Sequence, residues 1–266
     1  MSLVYATYVP NAPFLISPAA FGGVGASTAE ALVSLRLKER FEPGAVVVST
    51  PHWISNSVFL VNESSRPRQV YDFSGMPRAL LDVAYEPPGD PELAQAMVQA
   101  ASTAGVAVRG TQEWGLDHGA WAPLLHLLPG AKVPVVPMSI TSHSPESHVA
   151  FGRAVRSLLD AWPKPVVFVA TGSITHNFER FSPDPNARWP EGERIEGEIL
   201  DLLQARDDEA LLHFDREKWN TVKPEGRLRP LFTLLGVVGP EVRPRIVHRT
   251  SAMGGFGMTI LEFLPR

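Results

Sequence analysis

Cysteine is absent from the 266 residues. That excludes disulfides and every thiolate metal site, and leaves histidine, carboxylate and amide oxygen to hold any transition metal. No window approaches the roughly 18 consecutive apolar residues of a membrane-spanning helix. The first residues lack a basic stretch followed by an apolar run, so no export signal is expected and the chain reads as cytoplasmic. Charge of one sign is also scarce. The formal net charge is −4 and the sequence pI about 6.1, which gives neither nucleic acid nor an anionic membrane surface as an expected partner.

What is present suits a large α/β domain. Residues of hydrophobic type make up 44% of the chain, enough for a well-buried core at this length. Proline and glycine fall between apolar runs as turn residues and gather in no linker. Leu3–Val9 is predicted as a buried strand, ending at Pro10-Asn11-Ala12-Pro13. Ser27 stands three residues before Glu30, a capping-box spacing, ahead of a helical stretch to Phe41. The run Ala45–Ser49 is β-branched, as in strands covered on both faces. Further strands are expected at Val58–Val61, Val106–Arg109, Val133–Ile140, Val166–Ala170, Arg245–His248 and Met258–Phe263. Helices are expected from Pro91 to about Gly105, over Trp121–Leu128, from about Pro145 to Trp162, and near Glu191–Ala205 and Glu225–Val237. The alternation predicts one α/β domain over residues 1–266, with a mostly parallel central sheet flanked by helices.

In such sheets, function collects at the carboxyl ends of strands. Three expected strands end in unusual polar residues: the first at Asn11, the second in Thr50-Pro51-His52-Trp53, and the Val166–Ala170 strand in Thr171 to Asn177. A fourth polar group, Asp117-His118-Gly119, precedes an apolar helix. A lone histidine after a strand is more often a hydrogen-bonded structural residue, and Asp117-His118-Gly119 alone reads equally as a tight turn with an N-cap. His126 is read as a core or interface histidine, and His143, His148, His213 and His248 receive no role. Gly254-Gly255-Phe256-Gly257 precedes a strand and no helix, so it reads as a turn or bulge and not a phosphate loop.

Five blocks together resemble the class III (LigB-type) extradiol ring-cleavage dioxygenases, nearest the DOPA-dioxygenase-like branch. They are Ser49 to Trp53; Tyr71-Asp72-Phe73-Ser74-Gly75-Met76-Pro77 with Tyr85 and Pro88-Gly89; Trp114 to Trp121; Pro134 to Ser139; and Gly172 to Asn177. Their order and spacing cover nearly the whole chain. The resemblance implies a LigB-type fold, one non-haem iron(II) (zinc in some relatives), and a catechol- or aminophenol-type aromatic with O2 as substrates. It makes His52 a metal ligand, His176 the acid/base residue, and His118 the histidine that positions substrate or oxygen. Asn177 and Trp121 are expected on the substrate.

Two positions depart from the pattern. Asn11 stands where the family has its first ligand histidine, and the alignment puts Arg227 at the third ligand. An amide oxygen is a weak ligand and a guanidinium cannot coordinate. One outcome is a metal held by His52, Asn11 and Glu225, two residues from Arg227. The other has Arg227 in the vacated metal position, drawing an anion. The corresponding functions are an active dioxygenase, a homo-oligomer or otherwise; a non-catalytic partner of an active homologous subunit; or a metal-free binder of small anions.

Overall fold

The computed structural model describes residues 2–265. Ten strands are present among them: β1 (Leu3–Val9), β2 (Ala45–Ser55), β3 (Phe59–Asn62), β4 (Val108–Thr111), β5 (Val135–Thr141), β6 (Val166–Thr171), β7 (Arg245–His248), β8 (Ser251–Ala252), β9 (Phe256–Gly257) and β10 (Ile260–Phe263). The helices are α1 (Ala26–Ser34), α2 (Leu37–Phe41), α3 (Pro91–Thr103), α4 (His118–Leu127), α5 (Pro145–Ala161), α6 (Pro190–Ala205), α7 (Asp208–Leu212), α8 (Arg216–Val222) and α9 (Arg229–Val238).

Eight strands form one sheet in the order β4-β3-β5-β2-β6-β1-β10-β7. Its centre, β5-β2-β6-β1, is parallel throughout, and antiparallel pairs join β3, β10 and β7 to it. The period-2 alternation of a strand explains the two-sided core. Ala45 and Val47 of β2, with Phe168 of β6, enter the cluster that takes Leu93 of α3, Phe151 of α5 and Leu234 of α9. Val46 and Val48, with Val167 and Val169, enter the opposite cluster with Leu32 of α1 and Leu124 of α4. Each of the Val, Leu and Phe side chains among them stabilises the fold by roughly 1.5–3 kcal/mol when fully buried. The expected single α/β layer system with a mostly parallel sheet is therefore the observed one.

Four local expectations are corrected. The Ser27–Glu30 capping box does not form, because α1 begins at Ala26 behind a left-handed Gly25 and has no side-chain cap. The stretch to Phe41 is broken by Arg36, whose φ of 48° ends α1 and starts α2. α4 begins three residues before Trp121, since the Asp117 side chain accepts a hydrogen bond from the Ala120 amide and caps it. The last helix starts at Arg229 and not at Glu225. Gly226, Arg227 and Leu228 all have φ of 55°, so Glu225–Leu228 is a tight left-handed turn.

α9 is fixed against α5 by backbone contact. A Cβ on Gly152 would lie 2.1 Å from the Thr233 carbonyl oxygen, and one on Gly236 2.2 Å from that of Val149. This crossing anchors the Glu225 turn at the head of α9. Nearby, the buried His148 accepts from the Thr141 amide through Nε2 and uses Nδ1 on the Ser144 carbonyl, so the proton sits on Nδ1. Burial, with lesser effects from Arg229 and His143, lowers its pKa from 6.5 to about 4. The unfolded chain thus binds a proton that the folded chain refuses, and stability is lost as pH falls from about 6.5 toward 4. Urea denaturation across that range is expected to show the loss, and His148→Gln to flatten it.

Candidate active site

β2, β6 and β1 are neighbours in the sheet, so their carboxyl ends open on one place. Pairing of β2 with β5 shifts register between Ser49 and Ile54, and His52 sits in that irregular stretch. Asn11 follows β1, and Gly172 to Asn177 follow β6. The Glu225 turn closes the group, its amide bonded to the Ser173 carbonyl at 3.0 Å. Together they line a cavity of about 570 Å³ that includes Asn11, His52, His118, Ser173, His176 and Glu225.

His52 lies between two carboxylates. Its Nε2 is 3.0 Å from Glu225 Oε1, and its Nδ1 is 2.7 Å from Asp72 Oδ2. Asn11 Nδ2 donates to the same Glu225 oxygen at 3.3 Å. Asp72 Oδ1 accepts from the His118 amide and faces His118 Nδ1, both at 2.8 Å. The two imidazole rings stand edge to face, 4.2 Å apart. Burial pulls the His52 pKa down, but the hydrogen bonds to Asp72 and Glu225 outweigh it and raise it to about 10. The converse holds for Glu225: burial favours its acid, yet His52, the charge of His176 and Asn11 hold it below the usual carboxylate range. Burial pushes Asp72 up as well, and the hydrogen bonds from His118 and His52 overcome it and hold the carboxyl far below that range. In this state a proton on His52 is the cation between the two carboxylates.

The surroundings fix this geometry. Asp117 accepts from Thr50 Oγ1 at 2.9 Å and from Trp114 Nε1 at 3.0 Å, tying α4 to the β2 end. Gly119 allows the approach, for a Cβ there would fall 2.7 Å from His52 Cδ2. Glu225 Oε2 and the Tyr8 hydroxyl are both buried without a hydrogen-bond partner among the described residues. A buried carboxylate oxygen left unpaired is costly, and a cation would satisfy it.

Two donor sets are close enough for a metal. Ligand atoms of His52, Asp72 and His118 lie within 4.8 Å of one another. A second group surrounds Glu225 Oε1, with His52 Nε2 at 3.0 Å and the Asn11 amide nitrogen, whose partner oxygen is the atom able to ligate, at 3.3 Å. The second set lines the cavity throughout, whereas Asp72 does not line it. A reactive metal needs positions open to substrate, and all three residues of the second group face the cavity.

The model of the family described as the catalytic LigB subunit of aromatic ring-opening dioxygenase matches residues 27–261. The chain belongs to this family. Among relatives, the 4,5-DOPA dioxygenase extradiol of Escherichia coli K12 is 36% identical over 51% of this chain and 48% of its own length. The match to it therefore spans about half of each. The 4,5-DOPA dioxygenase extradiol of Mirabilis jalapa is 27% identical over 84% of both chains. An Escherichia coli 3,4-dihydroxyphenylacetate 2,3-dioxygenase is 24% identical over 73% of both. A crystal structure of an uncharacterized Escherichia coli K12 protein has the same fold, with a TM-score of 0.73, 20% identity, and coverage of 97% of this chain and 99% of that one. LigB-family dioxygenases use a metal, and the His52-Asp72-His118 group present here is able to hold one.

Of the candidates read from the sequence, Asn11, His52, His118, His176 and Glu225 come together in the LigB-type cavity. Three do not reach it. Arg227 lines a separate groove with Arg216, Trp219 and Arg229, because the left-handed turn swings it away and leaves Glu225 at the site. The reading in which Arg227 fills the metal position fails on that geometry. Trp121 is fully buried, donates through Nε1 to the Val70 carbonyl, and packs beside Tyr71 and Phe73. It supports the segment that carries Asp72 and is not on the cavity wall. Asn177 accepts from the Glu179 amide and donates to the Thr221 carbonyl, closing its own loop. The link that Asp72 makes is what sequence reasoning misses, whereas the segments Tyr71–Met76 and Asn177–Phe181, expected to line the pocket, do supply Phe73, Met76, Phe178 and Phe181 to its wall. The Tyr71-Asp72-Phe73 block marks the place, but nothing local shows that its carboxylate joins His52 to His118.

Among the described residues, no helix is long and apolar enough to cross a membrane.

Proposed function

We propose that this chain opens a catechol- or aminophenol-type ring with O2 at an iron(II) held by Asn11, His52 and Glu225. The observation that carries the reading is Glu225 at 3.0 Å from His52 Nε2, with its second oxygen unpaired. A carboxylate thereby stands where the sequence alignment puts a guanidinium. An imidazole, a carboxylate and an amide oxygen would make a three-residue donor set comparable in type to the two-histidine, one-carboxylate sites of non-haem iron oxygenases. The amide of Asn11 presents oxygen in place of nitrogen after a half-turn. Asp72 on the far nitrogen of His52 plays the part that carboxylates play behind metal-binding histidines, fixing tautomer and ring orientation.

A metal held by these residues would supply the Lewis acidity and O2 chemistry that ring opening needs. The carbon–carbon bond beside the hydroxyls breaks and both oxygen atoms enter the product, so no external reductant is needed. His176 faces the cavity on the β6 loop, its ring edge-on to Phe178 and Phe256, and takes the proton of a substrate hydroxyl. His118, with Nδ1 committed to Asp72, presents Nε2 to the substrate or O2. Phe178 and Phe181 stand at the mouth of the cavity.

The test is anaerobic loading with iron(II), then O2 uptake over a panel of catechols and aminophenols. One O2 per ring opened is expected for at least one member; a loaded protein inert to the whole panel overturns the reading. Asn11→His replaces the weakest donor with an imidazole and is expected to tighten metal binding by about tenfold or more, an amount comparable to the loss from one supporting residue at such sites. Competition with a chelator measures it.

A further inference from the structure

We infer that the substrate is a catechol-type ring whose substituent is uncharged and apolar, an alkyl or aryl group, and not an amino acid or carboxylate side chain. The inference rests on the ring-cleavage reading above and deepens it. Among the described residues, no lysine or arginine lines the cavity, and Glu225 is its sole carboxylate. With the ring hydroxyls toward His52 and Glu225, the substituent projects along a wall built from Phe73, Met76, Phe178, Phe181, Met253 and Phe256. Three of these lie at the mouth: Phe178 is 69% exposed, Phe181 51% and Met76 40%. Large exposed apolar side chains gathered at a cavity mouth mark a surface that an apolar ligand covers. The wall is also ordered, with Phe178 and Phe256 edge to face at 5.1 Å.

Arg180 lies over the Trp189 ring, Lys223 pairs with Glu179, and Arg78, two residues past Met76, does not line the cavity. A carboxylate entering here would lose its water without gaining a partner. It would also approach the charges of Glu225 and Asp72. An ammonium fares little better, since no carboxylate stands on the outer wall. The relatives named for DOPA and 3,4-dihydroxyphenylacetate act on catechols with charged side chains, so the wall predicts a distinct preference.

The test compares 4-propylcatechol, 3,4-dihydroxyphenylacetate and 3,4-dihydroxyphenylalanine on the iron-loaded full chain. Turnover is read as kcat/KM, and binding separately by calorimetry under argon. The uncharged catechol is expected to lead in both by on the order of 100-fold, as a site does when it leaves a charged group unpaired. Phe178→Lys, at an exposed position, places a cation at the mouth. It is expected to raise the preference for dihydroxyphenylacetate over propylcatechol by about fivefold, the scale of a solvent-exposed ion pair. Equal or better binding of the charged catechols by the unmodified protein overturns the inference, as does failure of all three to bind. Binding in the expected order without turnover supports the inference and counts against the ring-cleavage reading instead.

Discussion

His176→Ala is expected to lower kcat by about 10²- to 10⁴-fold, the range that a positioned general acid or base contributes, while metal content and thermal stability stay near those of the unmodified protein. The reason is its placement. His176 reaches the cavity from the loop after β6, and its ring is held by Phe178 and Phe256 and not by a hydrogen bond among the described residues. Its backbone amide bonds to the Val222 carbonyl and so ties the loop without the side chain. Removing the ring thus takes away a proton acceptor without unpairing a buried polar group. Steady-state kinetics with metal analysis of the same sample checks it, and unchanged kcat at full metal occupancy would remove the acid/base role. Partial rescue by added imidazole would strengthen it.

Glu225→Gln is expected to weaken metal binding by at least about 10- to 100-fold, because a neutral amide replaces the only carboxylate that both faces His52 Nε2 and lines the cavity. Losing a supporting residue alone costs that much at comparable sites, and a direct donor costs no less. The fold should survive, since the two side chains have the same shape and Glu225 enters no salt bridge except that to His52 among the described residues. Activity then falls in step with occupancy and returns in part at high metal concentration. Equal affinity in the variant would move the metal to His52, Asp72 and His118, where Asp72→Asn makes the complementary test. A third outcome, full occupancy with lost turnover, would make Glu225 a proton carrier and not a ligand.

The parts of the site legible in the sequence are those that regular strands deliver. Apolar runs at Leu3–Val9, Ala45–Ser49 and Val166–Ala170 predict buried strands, and the residues just past each run fall at one edge of the sheet. Position alone therefore picks out Asn11, His52 and His176, and a place before an apolar helix picks out His118. Glu225 is harder. Left-handed φ at Arg227 and Leu228 is rare for residues with a side chain, so the stretch reads as continuous helix, the family alignment falls on Arg227, and Glu225 stays an alternative two residues away. Contacts with the ends of β2 and β6 and the fixed head of α9 impose the turn, and none of these is local. Asp72 is hidden for a related reason: its partners, His52 and His118, lie 20 and 46 residues away. Trp121 and Asn177 read as substrate contacts because their motifs place them beside the cavity, whereas their polar atoms are spent on backbone partners behind it.

The central claim is that Asn11, His52 and Glu225 form a metal site in this chain alone. The most direct measurement is the metal content of the purified protein after anaerobic incubation with iron(II) and removal of unbound ion. The account predicts about one iron per chain, lost in Glu225→Gln. No retained metal in the unmodified protein would contradict it, and would leave the cavity to a partner subunit or to chemistry without a metal.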